Sequence, residues 1–130
     1  MKYMLDTNIA SYIVRGLGKP RLVAQMRLGQ WGISAISEGE LATWLFKTQN
    51  RDVEELLTRF LADAEVLTFG RDAALQFGRI MAASMRSGVP MQVADAQIAA
   101  HALVEDAILV TNNTKHFEHI EGLALENWVD

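Results

Sequence analysis

The sequence predicts an α/β domain of three layers, with a central parallel sheet of four to five strands between helices. Three observations carry that prediction. Short runs that are apolar throughout recur along the chain, helical stripes separate them, and the two alternate in order, as they do when each strand is buried on both faces. A chain of 130 residues is the size of one domain with a real core, so a single unit spanning residues 1–130 is expected.

Tyr3 to Leu5 form the first run, and Ile9, Tyr12 and Ile13 follow at helical spacing before the breakers Gly16, Gly18 and Pro20. A second helix is expected over residues 21–28, packed through Leu22, Val23 and Met26 and stopped at Gly29. The stretch WGISAI reads as strand two, alternating through Trp31, Ile33 and Ala35 or continuing apolar to Ile36. From Ser37 the pattern turns helical on Leu41, Trp44, Leu45 and Thr48, and a second helix on Val53, Leu56, Leu57, Phe60 and Leu61 completes a hairpin.

EVLTF is the third strand, and Asp72 is placed to cap a helix carrying Leu75, Phe77, Ile80, Met81 and Met85 that ends at Gly88 and Pro90. VADAQIAAHALVE has apolar residues on almost every side and predicts a helix enclosed by its neighbours. AILVT supplies the fourth strand, NNTKHF a loop, and GLAL a short last strand before Trp128.

Composition narrows the function. Half the residues are hydrophobic and 22% are charged, which argues against disorder and leaves spare apolar surface for a homo-oligomer. There is no cysteine, so disulfide scaffolds, thiolate zinc sites and cysteine nucleophiles are excluded. The N-terminus reads as neither signal peptide nor membrane span, and no apolar run reaches about 18 residues, so a cytoplasmic protein without a membrane partner is expected. A net charge of −4 disfavours nonspecific nucleic-acid binding but permits a contact through a metal ion.

Asp6 interrupts the chain directly after an apolar strand, at the carboxyl edge where parallel sheets bind ligands. A carboxylate so close to a core carries a desolvation penalty of several kcal/mol unless a cation or donors offset it. Glu40 follows strand two, Asp95 starts the enclosed helix, and Asn112 and Asn113 follow strand four, so three carboxylates and a carboxamide are delivered to one rim. Hard oxygen donors of this kind suit Mg²⁺ or Mn²⁺ and metal-assisted phosphodiester hydrolysis. Each residue alone has a structural reading. Ser37 and Glu40 are spaced as a capping box, Asp6 with Asn8 can cap the first helix, Asp95 suits an early helical turn, and the asparagines suit a turn.

The combination is more specific. MLDTN, ISAISEGEL, VADAQIAAHA and LVTNNTKHF, in that order along nearly the whole chain, resemble the four motifs of PIN-domain nucleases, in particular the VapC-type toxins of bacterial toxin–antitoxin pairs. The resemblance implies a three-layer α/β/α PIN-like domain and a Mg²⁺- or Mn²⁺-dependent endoribonuclease. It also implies a dimer, inhibited by a cognate VapB-type antitoxin. Asp6, Glu40 and Asp95 match the three acidic metal ligands, and Asn8 and Thr111 match polar supports of the site, beside Asn112. Many members carry aspartate where this chain has Asn113, which offers a neutral carbonyl and suggests one ion, or a second recruited with the RNA phosphate. TNNT with a tryptophan near the C-terminus is similar to the enterobacterial type that cuts initiator tRNA in its anticodon loop.

Other features read as structural. Glu38 points away from Glu40, His101 suits a hydrogen-bonded core position, His116 and His119 lack a third zinc ligand, and GLGKP lacks the spacing of a phosphate loop. Arg79 and Arg86 share a helix face, and Lys19, Arg21 and Arg27 cluster in sequence; solvated surface is their default role. Trp31, Trp44, Met81 and Met85 read as core or dimer surface. Two alternatives stand beside the nuclease: a phosphoacceptor signalling domain using Asp6 and Lys115, and a PIN-like module that binds without catalysis.

Overall fold

The computed structural model describes residues 1–129. Five strands alternate with helices: β1 (Tyr3–Leu5), α1 (Thr7–Val14), α2 (Gly18–Met26), β2 (Trp31–Ser34), α3 (Ala35–Thr48), α4 (Arg51–Asp63), β3 (Glu65–Leu67), α5 (Arg71–Ser87), α6 (Val93–Val104), β4 (Ile108–Val110) and β5 (Leu125–Glu126). A single 3₁₀ turn, Thr114–His116, lies between β4 and β5. All pairings are parallel, in the order β3-β2-β1-β4-β5. The predicted sheet and its three layers are therefore present.

Alternation along the strands divides the core. Tyr3, Leu5, Trp31, Ile33 and Val110 face α1, α2 and α4, while Met4 and Leu109 face α5 and α6. Helix α6 is enclosed as expected, burying Ala96, Ile98, Ala99, Ala100, His101 and Ala102. The run of alanines lets it lie close to the sheet and to α5. Gly32 lets β3 approach equally closely, because a Cβ there would stand 2.2 Å from the Glu65 carbonyl oxygen. Among the described residues no helix is long and apolar enough to cross a membrane.

Boundaries differ from expectation at five places. Helix α2 begins at Gly18, inside the predicted breaker run, since a proline in the first turn gives up an N–H that would have no intrahelical partner. Strand β2 stops at Ser34, whose hydroxyl accepts from the Ile36 N–H at 3.1 Å and caps α3. The expected capping box at Ser37 and Glu40 is therefore absent, and Ser37 lies inside the helix. Gly70, not Asp72, is the N-cap of α5, which ends as predicted at Gly88 in the left-handed conformation (φ 71°). The third strand covers only Glu65–Leu67 of EVLTF, and the last is Leu125–Glu126, one step beyond GLAL.

Behind β5 the chain is fastened by Trp128. Its ring is buried and packs edge-on to Tyr3 with centroids 5.5 Å apart, and its Nε1–H donates to Glu126 at 3.0 Å. Arg27, at the end of α2, pairs with the same carboxylate at 2.5 Å and lies over both aromatic rings.

Candidate active site

The strand order reverses direction between β1 and β4, so the crevice beyond their carboxyl ends is the topological switch point where parallel sheets bind ligands. Asp6 follows β1 and Thr111 follows β4 there, and the Asp6 N–H donates to the Val110 carbonyl at 2.9 Å. The sheet itself thus sets Asp6 in the crevice.

Asp6 is 8% exposed. It is the N-cap of α1, its Oδ1 accepting from the Ile9 N–H at 2.9 Å. The capping role and the expected ligand role thus fall on one side chain. Burial pushes its pKa above the usual aspartate value; the Ile9 N–H, the Thr111 hydroxyl and the Asn8 N–H oppose that, and the negative charge of Asp95 adds to it. Asp6 and Asp95 are therefore close enough to repel. Thr111 is buried, faces Asp6 and accepts from the Asn113 N–H at 3.1 Å.

Thr7, overlooked in the sequence, connects the next carboxylate. Its Oγ1–H donates to Glu40 Oε1 at 2.6 Å, and Oγ1 lies 2.9 Å from the fully buried Ser37 Oγ. Glu40 itself is exposed, one turn into α3. Asp95, half-buried in the first turn of α6, lies 3.3 Å from His116 Nε2 in the 3₁₀ turn. His116 thus belongs to the rim, which the sequence pattern did not reveal.

The asparagines are less engaged. Asn112 and Asn113 are exposed on the loop after β4, and the Asn127 amide donates to the Asn112 side chain at 3.4 Å. Asn8 is exposed, and the support it gives Asp6 comes from its main-chain N–H. Glu38 lines a groove between α3 and α4 instead of the rim. His119 is exposed, and no zinc pair forms with His116 among the described residues.

Among the described residues no three His, Cys, Asp or Glu side chains converge into a preformed metal cage. Asp6, Glu40 and Asp95, expected together on one rim, are thus not brought together as a three-carboxylate group. Mg²⁺ is commonly held by one or two carboxylates, keeping waters and taking phosphate oxygens from its substrate. Asp6 is buried with its pKa raised, and the charge of Asp95 adds to that rise, a repulsion that a divalent cation would relieve. The phosphoacceptor alternative fits less well: it needs an acidic pair after β1, where only Asp6 stands, and an aspartate ending a central strand, where β4 runs into Thr111.

An acidic crevice at the switch point of an all-parallel sheet is the arrangement of a PIN domain, and the PIN-domain pattern matches residues 3–123. The chain belongs to the PIN-domain family, among its VapC ribonucleases. It is 34% identical over 132 residues to the tRNA(fMet)-specific endonuclease VapC of Shigella flexneri, covering 98% of each chain. It is also 34% identical over 134 residues to Ribonuclease VapC2 of Haemophilus influenzae, covering 99% of each. Among solved structures, VapBC2 from Rickettsia felis bound to a DNA fragment from its promoter contains a chain that matches at 31% identity and a TM-score of 0.90, over 98% of this chain and 99% of that one. DNA-bound VapBC from Salmonella typhimurium matches at 32% identity and a TM-score of 0.86, over 98% of each.

Proposed function

We propose that this chain is a Mg²⁺- or Mn²⁺-dependent endoribonuclease, the toxin of a toxin–antitoxin pair, held inactive by a VapB-type antitoxin. The observation that carries the reading is the carboxylate of Asp6 buried at the switch point, where the charge of Asp95 raises its pKa further and a cation would have a use. Asp6, Asp95 and Glu40 would hold the ion, and Asn113 offers a neutral carbonyl from the adjoining loop. Bound there, the ion would lower the pKa of a water and offset charge on the scissile phosphate.

The chain's own groups prepare that chemistry. The Ile9 N–H and Thr111 hold Asp6 in place, Thr7 holds Glu40, and His116 faces Asp95. Without a cation this negative rim repels an RNA phosphate, so cleavage is strictly metal-dependent.

The relatives from Shigella flexneri and Salmonella typhimurium are named tRNA(fMet)-specific endonucleases, and on that likeness the substrate is taken as initiator tRNA, cut in its anticodon loop. The VapBC complexes among the similar structures support the antitoxin as partner. A homodimer accounts for large apolar side chains left in solvent, such as Phe46 (72% exposed) and Met85 (75%). Such a toxin acts in the cytoplasm, with its RNA.

The test is expression of the chain alone beside Asp6→Asn and Asp95→Asn, with RNA ends mapped in the presence and absence of Mg²⁺. Growth arrest and discrete Mg²⁺-dependent cuts are expected for the parent only. Identical behaviour of all three would overturn the nuclease reading, and RNA bound but uncut would leave a binding module.

A further inference from the structure

Among the described residues six polar or charged side chains are buried: Asp6, Ser34, Ser37, Ser84, His101 and Thr111. Three of them belong to the candidate site or to the residues that touch it. Asp6 and Thr111 form its floor, and Ser37 touches Thr7, which holds Glu40. Ser34 and His101 are two of the other three, and their Oγ and Nδ1 are 2.7 Å apart. A buried imidazole in a helix otherwise packed with alanine needs a reason.

Ser34 Oγ accepts from the Ile36 N–H and so fixes the first turn of α3. The same oxygen meets Nδ1, as donor to a bare Nδ1 or as acceptor from an Nδ1–H, and either arrangement ties the ring to the cap of α3. Burial holds His101 below the ordinary histidine pKa, with Glu105 and the Thr68 main chain opposing, so the ring is neutral at pH 7. Nε2 makes no hydrogen bond, its nearest carboxylate oxygen on Glu105 being 3.8 Å away. The edge of the Phe69 ring, with centroids 5.4 Å apart, braces the imidazole from the β3 side. Beside the Thr68 main chain, the polar partner of His101 is the side chain that caps the helix carrying Glu40, and His101 sits on the helix that carries Asp95.

We infer that His101 is a positioning residue: through Ser34 it fixes the start of α3, and so the placement of Glu40 relative to Asp95. This rests on the nuclease reading and deepens it. A hydrophobic residue at 101 would fill the space but leave the Ser34 hydroxyl without its ring partner, and the two acid-bearing helices would lose their polar tie. Asparagine keeps a polar atom near the position of Nδ1, so it separates polar tethering from simple filling.

The experiment compares the parent with His101→Leu, His101→Asn, Ser34→Ala and the Ser34→Ala/His101→Leu double variant, all read well below their melting temperatures. Steady-state RNA cleavage gives kcat and KM, and calorimetric titration with Mn²⁺ alone gives metal binding independently of activity. His101→Leu is expected to lower kcat about ten- to hundredfold and to weaken Mn²⁺ binding, the range seen for groups that orient metal ligands. KM for RNA stays within about twofold, since no RNA contact is removed. His101→Asn recovers most of the loss, Ser34→Ala reproduces it, and the double variant is no worse than either single one.

Folded His101→Leu with parental kcat and Mn²⁺ affinity would overturn the inference, as would additive losses in the double variant. Should His101→Leu fail to fold, Ser34→Ala decides on the same readouts. A parent that binds Mn²⁺ but cuts no RNA would count against the nuclease reading, while the Mn²⁺ titrations would still decide the role of His101.

Discussion

Replacing Thr7 by valine tests the link between fold and site. Valine keeps the shape and deletes the hydroxyl, which donates to Glu40 at 2.6 Å and lies 2.9 Å from the buried Ser37 Oγ. A hydrogen bond to a charged acceptor contributes about 1.5–3 kcal/mol. If Glu40 acts in the reaction only when so held, losing the bond lowers kcat about ten- to hundredfold, at tenfold per about 1.4 kcal/mol. Stability falls by a different route. Ser37 loses a buried partner, a loss of about 1–3 kcal/mol, and the valine methyl offsets part of it. A net loss of about 1 kcal/mol corresponds to a melting temperature about 4 °C lower for a chain of this size. Thr7→Ser retains the hydroxyl and both properties. The assay is single-turnover RNA cleavage at saturating Mg²⁺, with thermal melts on the same samples. Folded Thr7→Val cutting RNA at the parental rate would refute the reasoning, because Glu40 would then need no hydroxyl to hold it.

Asp6 gives a second prediction, with its sign set by burial. Its pKa is raised in the folded chain, so the folded state binds more protons than the unfolded one above the ordinary aspartate value, and metal-free stability falls as pH rises through that window. Asn caps helices about as well as Asp, so metal-free Asp6→Asn should melt higher than the parent at pH 7; a lower melt contradicts this. A divalent cation at about a hundredfold above its Kd adds about 2.7 kcal/mol, or about 10 °C by the same conversion, to the parent and little to Asp6→Asn. Trp128→Ala removes a ring that is 2% exposed and should lose about 3–5 kcal/mol in urea unfolding. An unchanged midpoint would mean that the C-terminal fastening carries no stability.

The parallel α/β class was legible because the inner strands β1, β2 and β4 are short and largely apolar while amphipathic helical stripes separate them; the edge strands β3 (EVL) and β5 (LE) carry a glutamate each. The strand order was not, because which strands neighbour β1 depends on how the crossovers close, and that order is what places Asp6 and Thr111 at a switch point. The end of β2 was misread because WGISAI is apolar on both sides of Ser34, and over so few residues a strand and the first turn of a buried helix look alike. Asp6, Glu40 and Asp95 stood out as charges beside apolar runs. Thr7 carried a signal, adjoining Asp6 in LDTN, and so did His101, an imidazole flanked by alanines in an apolar helix. His116 carried none, since only the return of the chain after β4 brings it to Asp95.

The most direct test of the central claim is anomalous diffraction from crystals of the metal-free protein soaked in Mn²⁺. A peak within coordination distance of both Asp6 and Asp95, and missing from Asp6→Asn crystals, is the predicted result. Mn²⁺ bound elsewhere, with the crevice between those carboxylates free of anomalous density at saturating concentration, would contradict it.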